Sequence, residues 1–357
     1  MKFSISISRE CGHVMRGLAI TAIALHNFCH LMPGAVRENE SDFLAENLKR
    51  LAATDCGTWQ GVSDLISFFG WYGVPIFIFL TGYGLVAKYE REGAPFAVRG
   101  FLQSNWLKLV NLMIPGILAF VISTTVVSLL AGHVGATWSL RYLFQLTMLP
   151  DLVFPWYPPV PGVYWYFGVT LQFYVIYALA IRRRPAWWMA LMVAGSLALQ
   201  WSVDPASWWL SWIRHNAIGW MTVLVMGILW GRYPSVRRWP AIVVAMVAPL
   251  IFIPSMLDPY TWQLSILAVV VIAYLVARLS LKIPLWRGMW IWLGRMSPFI
   301  FAAHPLVRHW ILSAVDRPES SFCLIAGYFA AVILAAIAYR YAWRFTSRLL
   351  SARICRH

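Results

Sequence analysis

Charge is what this chain has least of. Only 12% of its 357 residues are Asp, Glu, Lys or Arg, about half the share of an ordinary soluble domain. Lipid must therefore solvate most of its surface. No polar stretch is long enough to fold separately, so residues 1–357 read as one membrane domain. Acids are the scarcest group, 14 against 29 Lys and Arg, leaving a net charge of +15. That excess does not point to nucleic acid. The bases sit in short clusters between apolar runs (Arg182-Arg183-Arg184, Arg237-Arg238, and Arg340, Arg344, Arg348, Arg353, Arg356), with no soluble groove to hold a strand. The five cysteines, Cys11, Cys29, Cys56, Cys323 and Cys355, include no Cys-x-x-Cys pair, which removes the common zinc and redox signatures. Cys29, Cys56 and Cys323 are expected near the outer face, as free thiols or with one disulfide among them, and Cys11 and Cys355 on the reducing side. The first apolar run lacks a short core and small-residue cleavage site, so it reads as a span and not as a signal peptide. There is no low-complexity tract and no clear inverted repeat.

What is present is apolar and aromatic. Sixty per cent of the residues are hydrophobic, with 21 Trp and 15 Tyr, the rings that gather at membrane–water interfaces. At about 20 residues per span, apolar runs lie near 14–32, 62–87, 106–130, 163–181, 186–202, 216–231, 239–253, 261–279, 289–312 and 321–343. The expected fold is all-α: a polytopic bundle of about ten transmembrane helices. With both termini cytoplasmic, roughly 20 of the 29 bases fall inside, as the positive-inside rule requires. The first outer loop, near 33–61, is acid-rich (Glu38, Glu40, Asp42, Glu46, Asp55). The second, near 131–162, carries Phe154-Pro155-Trp156-Tyr157-Pro158-Pro159-Val160-Pro161; its prolines deny it a regular helix, and a lid or rim over the outer face is expected.

Ionisable side chains inside apolar runs mark function. His26 and His30 stand one turn apart in the first run and share a helix face. Arg16 precedes His26 by ten residues, about 15 Å along a helix axis. Arg16 therefore belongs at the cytoplasmic edge, where its planar guanidinium suits phosphate or carboxylate. His26 belongs in the outer half, where neutral imidazole can take a proton from a hydroxyl. His304, about two-thirds across a later run, reaches similar depth. No intramembrane Asp or Glu joins the histidines, so no metal is expected.

Four stretches together resemble the integral-membrane acyltransferase-3 family. Arg16-Gly17-Leu18-Ala19-Ile20, ending in His26, is similar to the opening of its first helix. Gly73-Val74-Pro75-Ile76-Phe77-Ile78-Phe79-Leu80-Thr81-Gly82-Tyr83 resembles its second-helix signature. Tyr164-Trp165-Tyr166-Phe167 followed by Leu171-Gln172-Phe173-Tyr174 resembles its aromatic helix, and Leu293-Gly294-Arg295-Met296-Ser297-Pro298-Phe299, running on to His304-Pro305, its late segment. The resemblance implies ten spans, cytoplasmic termini, and acyl transfer from cytoplasmic acyl-CoA to an extracytoplasmic acceptor, usually a carbohydrate. It also implies that Arg16 and the first-span histidine form the central pair. Two features depart from the pattern. Many members separate arginine and histidine by eleven residues, which here falls on Asn27; ten residues miss the arginine's face by about 80°, so Asn27 and His30 compete with His26. The arginine pair usual after the second span is replaced by Lys88, Arg91, Arg99 and Lys108.

The expected catalytic groups are His26 as general base, Arg16 on the donor and His304 on the acyl carbonyl or acceptor, with Asn27 and His30 in support. Substrate contacts are expected from Trp165, Tyr166, Gln172, Tyr174, Thr81, Gly82 and Glu38. Gly82 reads first as a small residue at a helix crossing and Glu38 first as a solvated loop acid, whereas Gln172, a polar amide in mid-span, needs a partner. No permanently bound cofactor is expected; acyl-CoA, above all acetyl-CoA, is the donor. The expected partners are the bilayer of the bacterial inner membrane and a carbohydrate or lipid-linked glycan. A transporter or flippase for a lipid-linked sugar is the alternative.

Overall fold

Backbone in hydrocarbon must satisfy its own hydrogen bonds, and within a single apolar run a helix does so. The computed structural model describes residues 7–90, 96–130, 140–154, 156, 158–233, 241–315 and 319–354, and contains no strand among them. Arg91, Arg237, Arg238, Arg356, Cys355, Pro155, Tyr157 and the first residues of the 239–253 run lie outside the described residues. The helices are α1 (Arg9–Cys29), α2 (Ala45–Ala52), α3 (Trp59–Phe69), α4 (Gly73–Tyr89), α5 (Val98–Leu130), α6 (Leu140–Leu146), α7 (Trp165–Ile176), α8 (Ala186–Trp201), α9 (Trp208–Arg214), α10 (Met221–Arg232), α11 (Ala241–Met256), α12 (Trp262–Ser280), α13 (Pro284–Ala314) and α14 (Phe322–Ile354).

Every apolar run read from the sequence is helical where described, with ends displaced by up to about three turns, the most at the end of the last run, whose helix continues to Ile354. Among the described residues, five stretches can cross a bilayer by length and composition: Trp59–Tyr89, Val98–Val126, Gly162–Ile181, Trp262–Ser280 and Phe322–Ser347. The apolar helices at Ala186–Trp201, Ala217–Arg232 and Met246–Met256 are shorter. Arg9, Glu10 and Arg16 dilute α1, and Arg287, Arg295 and Arg308 dilute α13. Three short helices in the connections, α2, α6 and α9, carry no span-length signal. Cys11, Cys29, Cys56 and Cys323 are all free.

Helix starts follow local chemistry. Ser8 caps α1 by accepting from the Cys11 amide at 3.1 Å, and Thr58 caps α3 by accepting from Gly61 at 3.0 Å. Prolines inside helices free a carbonyl one turn back, and each of two gaps is filled by a side chain. Pro298 strands the Gly294 carbonyl, to which Ser297 Oγ donates at 2.9 Å. Near Pro115 the Tyr339 hydroxyl enters the ladder of α5, accepting from the Gly116 amide at 2.8 Å and donating to the Leu112 carbonyl.

α1 is the centre of the bundle, packed along α13 and flanked by α3, α4, α12 and α14. Glycines permit the closest approaches: a Cβ on Gly17 would strike the Trp290 carbonyl, and one on Gly294 the His13 carbonyl. One apolar core joins α1, α4, α7, α10 and α12; a second joins α1, α13 and α14; a third lies between α5 and α7. At one end of α4, Glu90 makes a bidentate pair with Arg232 of α10, both bonds 2.6 Å and both side chains about nine-tenths covered. Arg232 also donates to the Ile181 and Arg184 carbonyls. Glu90→Gln leaves a buried guanidinium without its charge partner and is expected to cost about 3 kcal/mol. Removing the half-exposed Arg287–Glu10 pair is expected to cost less than about 1 kcal/mol. Unfolding midpoints in detergent compare the two.

Candidate active site

The faces of α1 not sealed by glycine contacts border a cavity of about 460 Å³, walled also by the start of α4 and by α5, α7 and α13. Its polar groups are unevenly spread. His13, Arg16 and Arg295 line one end, without an acid among the lining residues there; His26, Asn27 and Glu40 line the other. Between them the wall is largely apolar and aromatic, with Phe77, Trp165, Tyr166, Phe167 and Phe301. Arg16 and His26 thus open onto one space despite their ten-residue spacing, because the cavity is wider than a single helix stripe. Asn27 shares it too, so the choice between positions 26 and 27 is not exclusive.

The orientation of His26 is fixed by α3. Its Nδ1 lies 2.7 Å from the Ser67 carbonyl; a carbonyl only accepts, so Nδ1 carries the proton and Nε2 keeps its lone pair. Gly70 makes this approach possible, since a Cβ there would meet the Cβ of His26. The same Ser67 holds the outer loop: its Oγ donates to the Val36 carbonyl at 2.6 Å, while Asp64 Oδ1 accepts from the Val36 amide at 3.1 Å. The loop then places two acids. Glu38 Oε2 stands 2.7 Å from His30 Nδ1, and Glu40 lines the cavity. Arg214 of α9, buried over the Trp262 ring at 3.7 Å, donates to the carbonyls of Asn39 and Glu40. Burial, then the nearby Glu38 charge, raises the Glu40 carboxyl well above the usual carboxylate range despite Arg214.

Other expected contacts separate into two groups. Thr81, Trp165, Tyr166 and Tyr174 line the cavity with Arg16 and His26. Gly82 instead faces the Leu224 carbonyl of α10 at a helix crossing. Gln172 spends its amide on structure, donating to Asn216 Oδ1 and accepting from the Ala217 amide, both at 2.9 Å. His304 is fully buried behind Phe301, with ring centroids 5.7 Å apart, and its Nδ1 donates to the Ile300 carbonyl at 3.2 Å beside the Pro305 break. It supports α13 and is not among the cavity-lining residues. His30 and Glu38 likewise lie beside the cavity and not in its wall. Arg308 and Arg214 were not singled out from the sequence. Arg308 donates to the main-chain and side-chain oxygens of Asn27 at 3.2 and 3.3 Å. Only its place in an apolar run, one turn past His304, signals it.

The sequence shows no acid near the histidines; the fold supplies Glu38 from the loop. His26, His30 and Glu38 each bring a donor atom within 4.8 Å of the others, a spacing a small cation could bridge. His30 and Glu38 also stand 2.7 Å apart as an imidazole–carboxylate pair.

Arg16 and the oriented His26 thus share one polar cavity inside the helical bundle. The acyltransferase-3 family, described as an acyltransferase domain, matches residues 13–341, nearly the whole chain. The protein belongs to this family and is an acyltransferase. No curated protein and no solved structure matches the chain.

Although burial pushes the Glu38 carboxyl up, the His30 hydrogen bond and the charges of His26 and His30 outweigh it and hold Glu38 below its ordinary 4.5. Its contribution to anchoring the loop is therefore complete above about pH 4.5 and is lost as pH falls through the lower folded value. Amide exchange over residues 33–44 is expected to be slow at neutral pH and to quicken, beyond the intrinsic pH effect, on acidification. In Glu38→Gln it is expected to be fast at both pH values.

Proposed function

We propose that the protein is a membrane O-acyltransferase of the bacterial inner membrane. It moves an acyl group, in the simplest case acetyl, from cytoplasmic acyl-CoA to a hydroxyl of an extracytoplasmic or lipid-linked carbohydrate. The observation that carries this reading is the polarity of one cavity: cationic and acid-free at the Arg16 end, basic and hydroxyl-compatible at the His26 end. An anionic donor fits the first end and a neutral polyol the second. Ten spans with both termini cytoplasmic suit this direction, because they put most bases and the Arg16 end inside.

In this reading Arg16, aided by His13 and Arg295, holds the phosphates or carbonyls of the donor, and the apolar middle admits its thioester arm. At the far end His26 Nε2 removes the acceptor proton. The oxygen attacks the thioester carbon, the carbon–sulfur bond breaks, and the imidazolium returns the proton to the departing thiolate. Atoms and charge balance without a cofactor. Asn27, held by Arg308, and the carboxyl of Glu40 orient the acceptor, while Trp165, Tyr166, Tyr174 and Thr81 shape the passage.

The decisive assay is free-thiol release from acetyl-CoA by the purified protein in lipid, with and without crude envelope glycan. His26→Ala is expected to lower acceptor-dependent release by about 10²–10⁴-fold, the usual share of general-base help, without unfolding the protein. Arg16→Ala is expected to raise the donor KM more than it lowers kcat. Full release by His26→Ala would overturn the assignment. No release from any form would overturn acetyl-CoA as the donor.

A further inference from the structure

Beside the cavity, and unused by the mechanism above, lies a covered imidazole–carboxylate pair. His30 Nδ1 and Glu38 Oε2 stand 2.7 Å apart, with 25% and 15% of their side chains exposed. Neither atom has another polar partner. His30 follows His26 by one helical turn, and the two rings lie 5.3 Å apart at 38°. The Ser67 carbonyl keeps the His26 ring from turning away.

A loop acid can be solvated at no cost, whereas Glu38 is held in place by a set of independent bonds. Asn47 Nδ2 donates to the Glu38 carbonyl at 3.1 Å. Val36 is held on both its amide and its carbonyl, and Arg214 holds the two residues after Glu38. The charged or titratable groups around His26 make the need plain. Arg308 and His304 approach from α13, His30 from α1 itself, Asp64 from α3, and Glu38 and Glu40 from the loop. Glu40 lies beside Arg214, which donates to its carbonyl, and Asp64 is engaged with the Val36 amide and Gln60. That leaves Glu38 to oppose Arg308.

We propose that Glu38, acting through His30, is the counter-charge that steadies His26 while it carries the acceptor's proton. The proposal rests on the acyl-transfer reading. When the acceptor O–H bond breaks and the Nε2–H bond forms, His26 becomes cationic beside Arg308. The His30–Glu38 pair then sets one negative charge a turn away, until the proton passes to the thiolate and the imidazole is neutral again. Glu38 and His30 gain and lose no proton over the cycle. Glu38 touches neither substrate and is a positioning residue.

The test uses the full chain in lipid, with Glu38→Gln, Glu38→Asp, His30→Gln and the Gln/Gln double variant. Glu38→Gln and His30→Gln are each expected to lower kcat for thiol release by about 10- to 100-fold, with the donor KM held within about 2-fold. The double variant is expected to be no worse than the poorer single, since the two act as one unit. Glu38→Asp is expected to recover part of the loss, and the acidic limb of the Glu38→Gln profile to move to lower pH.

A second readout needs no acceptor. Carbethoxylation of His26 by diethyl pyrocarbonate, followed by tandem mass spectrometry, is expected to have its pH midpoint lowered in Glu38→Gln. Wild-type kcat and an unmoved midpoint in Glu38→Gln, with His26→Ala inactive, would overturn the counter-charge and leave acyl transfer standing. If His26→Ala stays active, His26 is not the base and the counter-charge has nothing to steady, so the proposal falls while acyl transfer stands; if no form releases thiol, the carbethoxylation midpoint still decides whether the pair is coupled to His26. A stoichiometric metal found by elemental analysis and lost in Glu38→Gln would also overturn the proposal, because the three donors would then be ligands.

Discussion

Everything around the site depends on how near other backbone can come to α1. On one side the α13 backbone closes against it where Gly17 faces Trp290 and Gly294 faces His13. On another, Gly70 and Gly73 let the junction of α3 and α4 lie against Ala19, Ala22 and His26. Small residues are the means by which helices reach this distance in lipid, where no hydrophobic force drives them together. With those faces sealed, what remains of α1 is the strip carrying Arg16, Ile23, His26 and Asn27, and the cavity is the space in front of it.

The same economy governs the prolines. Each break in a helix of the bundle exposes a carbonyl that hydrocarbon cannot satisfy, and the residues that repair the breaks also join elements. Tyr339 mends α5 while tying it to α14. Ser297 mends α13 locally and lines the cavity. His304 lies beside the Pro305 break with its Nδ1 on the chain's own carbonyl.

Much of the helix content was legible because apolar runs leave the backbone one way to satisfy itself. Arg16, His26 and the ring-bearing face of α7 were legible as well, since an ionisable or aromatic group in such a run must face something polar or shaped. What periodicity cannot supply is the identity of the neighbour. Gly82 meets α10 and Gln172 meets the turn at Asn216, contacts set by tertiary packing alone. Glu38 reads as a solvated loop acid until Ser67, Asp64, Asn47 and Arg214 fold the loop inward. Those bonds join residues up to 175 positions apart, beyond any local pattern. The missing acid beside the histidines was a gap of this kind: present in composition, absent from the span.

The pairing of α1 with α13 also orders events in time. Ribosomes deliver the chain from its first residue, so α1 enters the membrane long before α13 exists. Until then Gly17 and Arg16 have no opposing wall, and no enclosed passage connects the two ends of the site. The cavity therefore closes only when α13, late in the chain, has been made and has packed against α1.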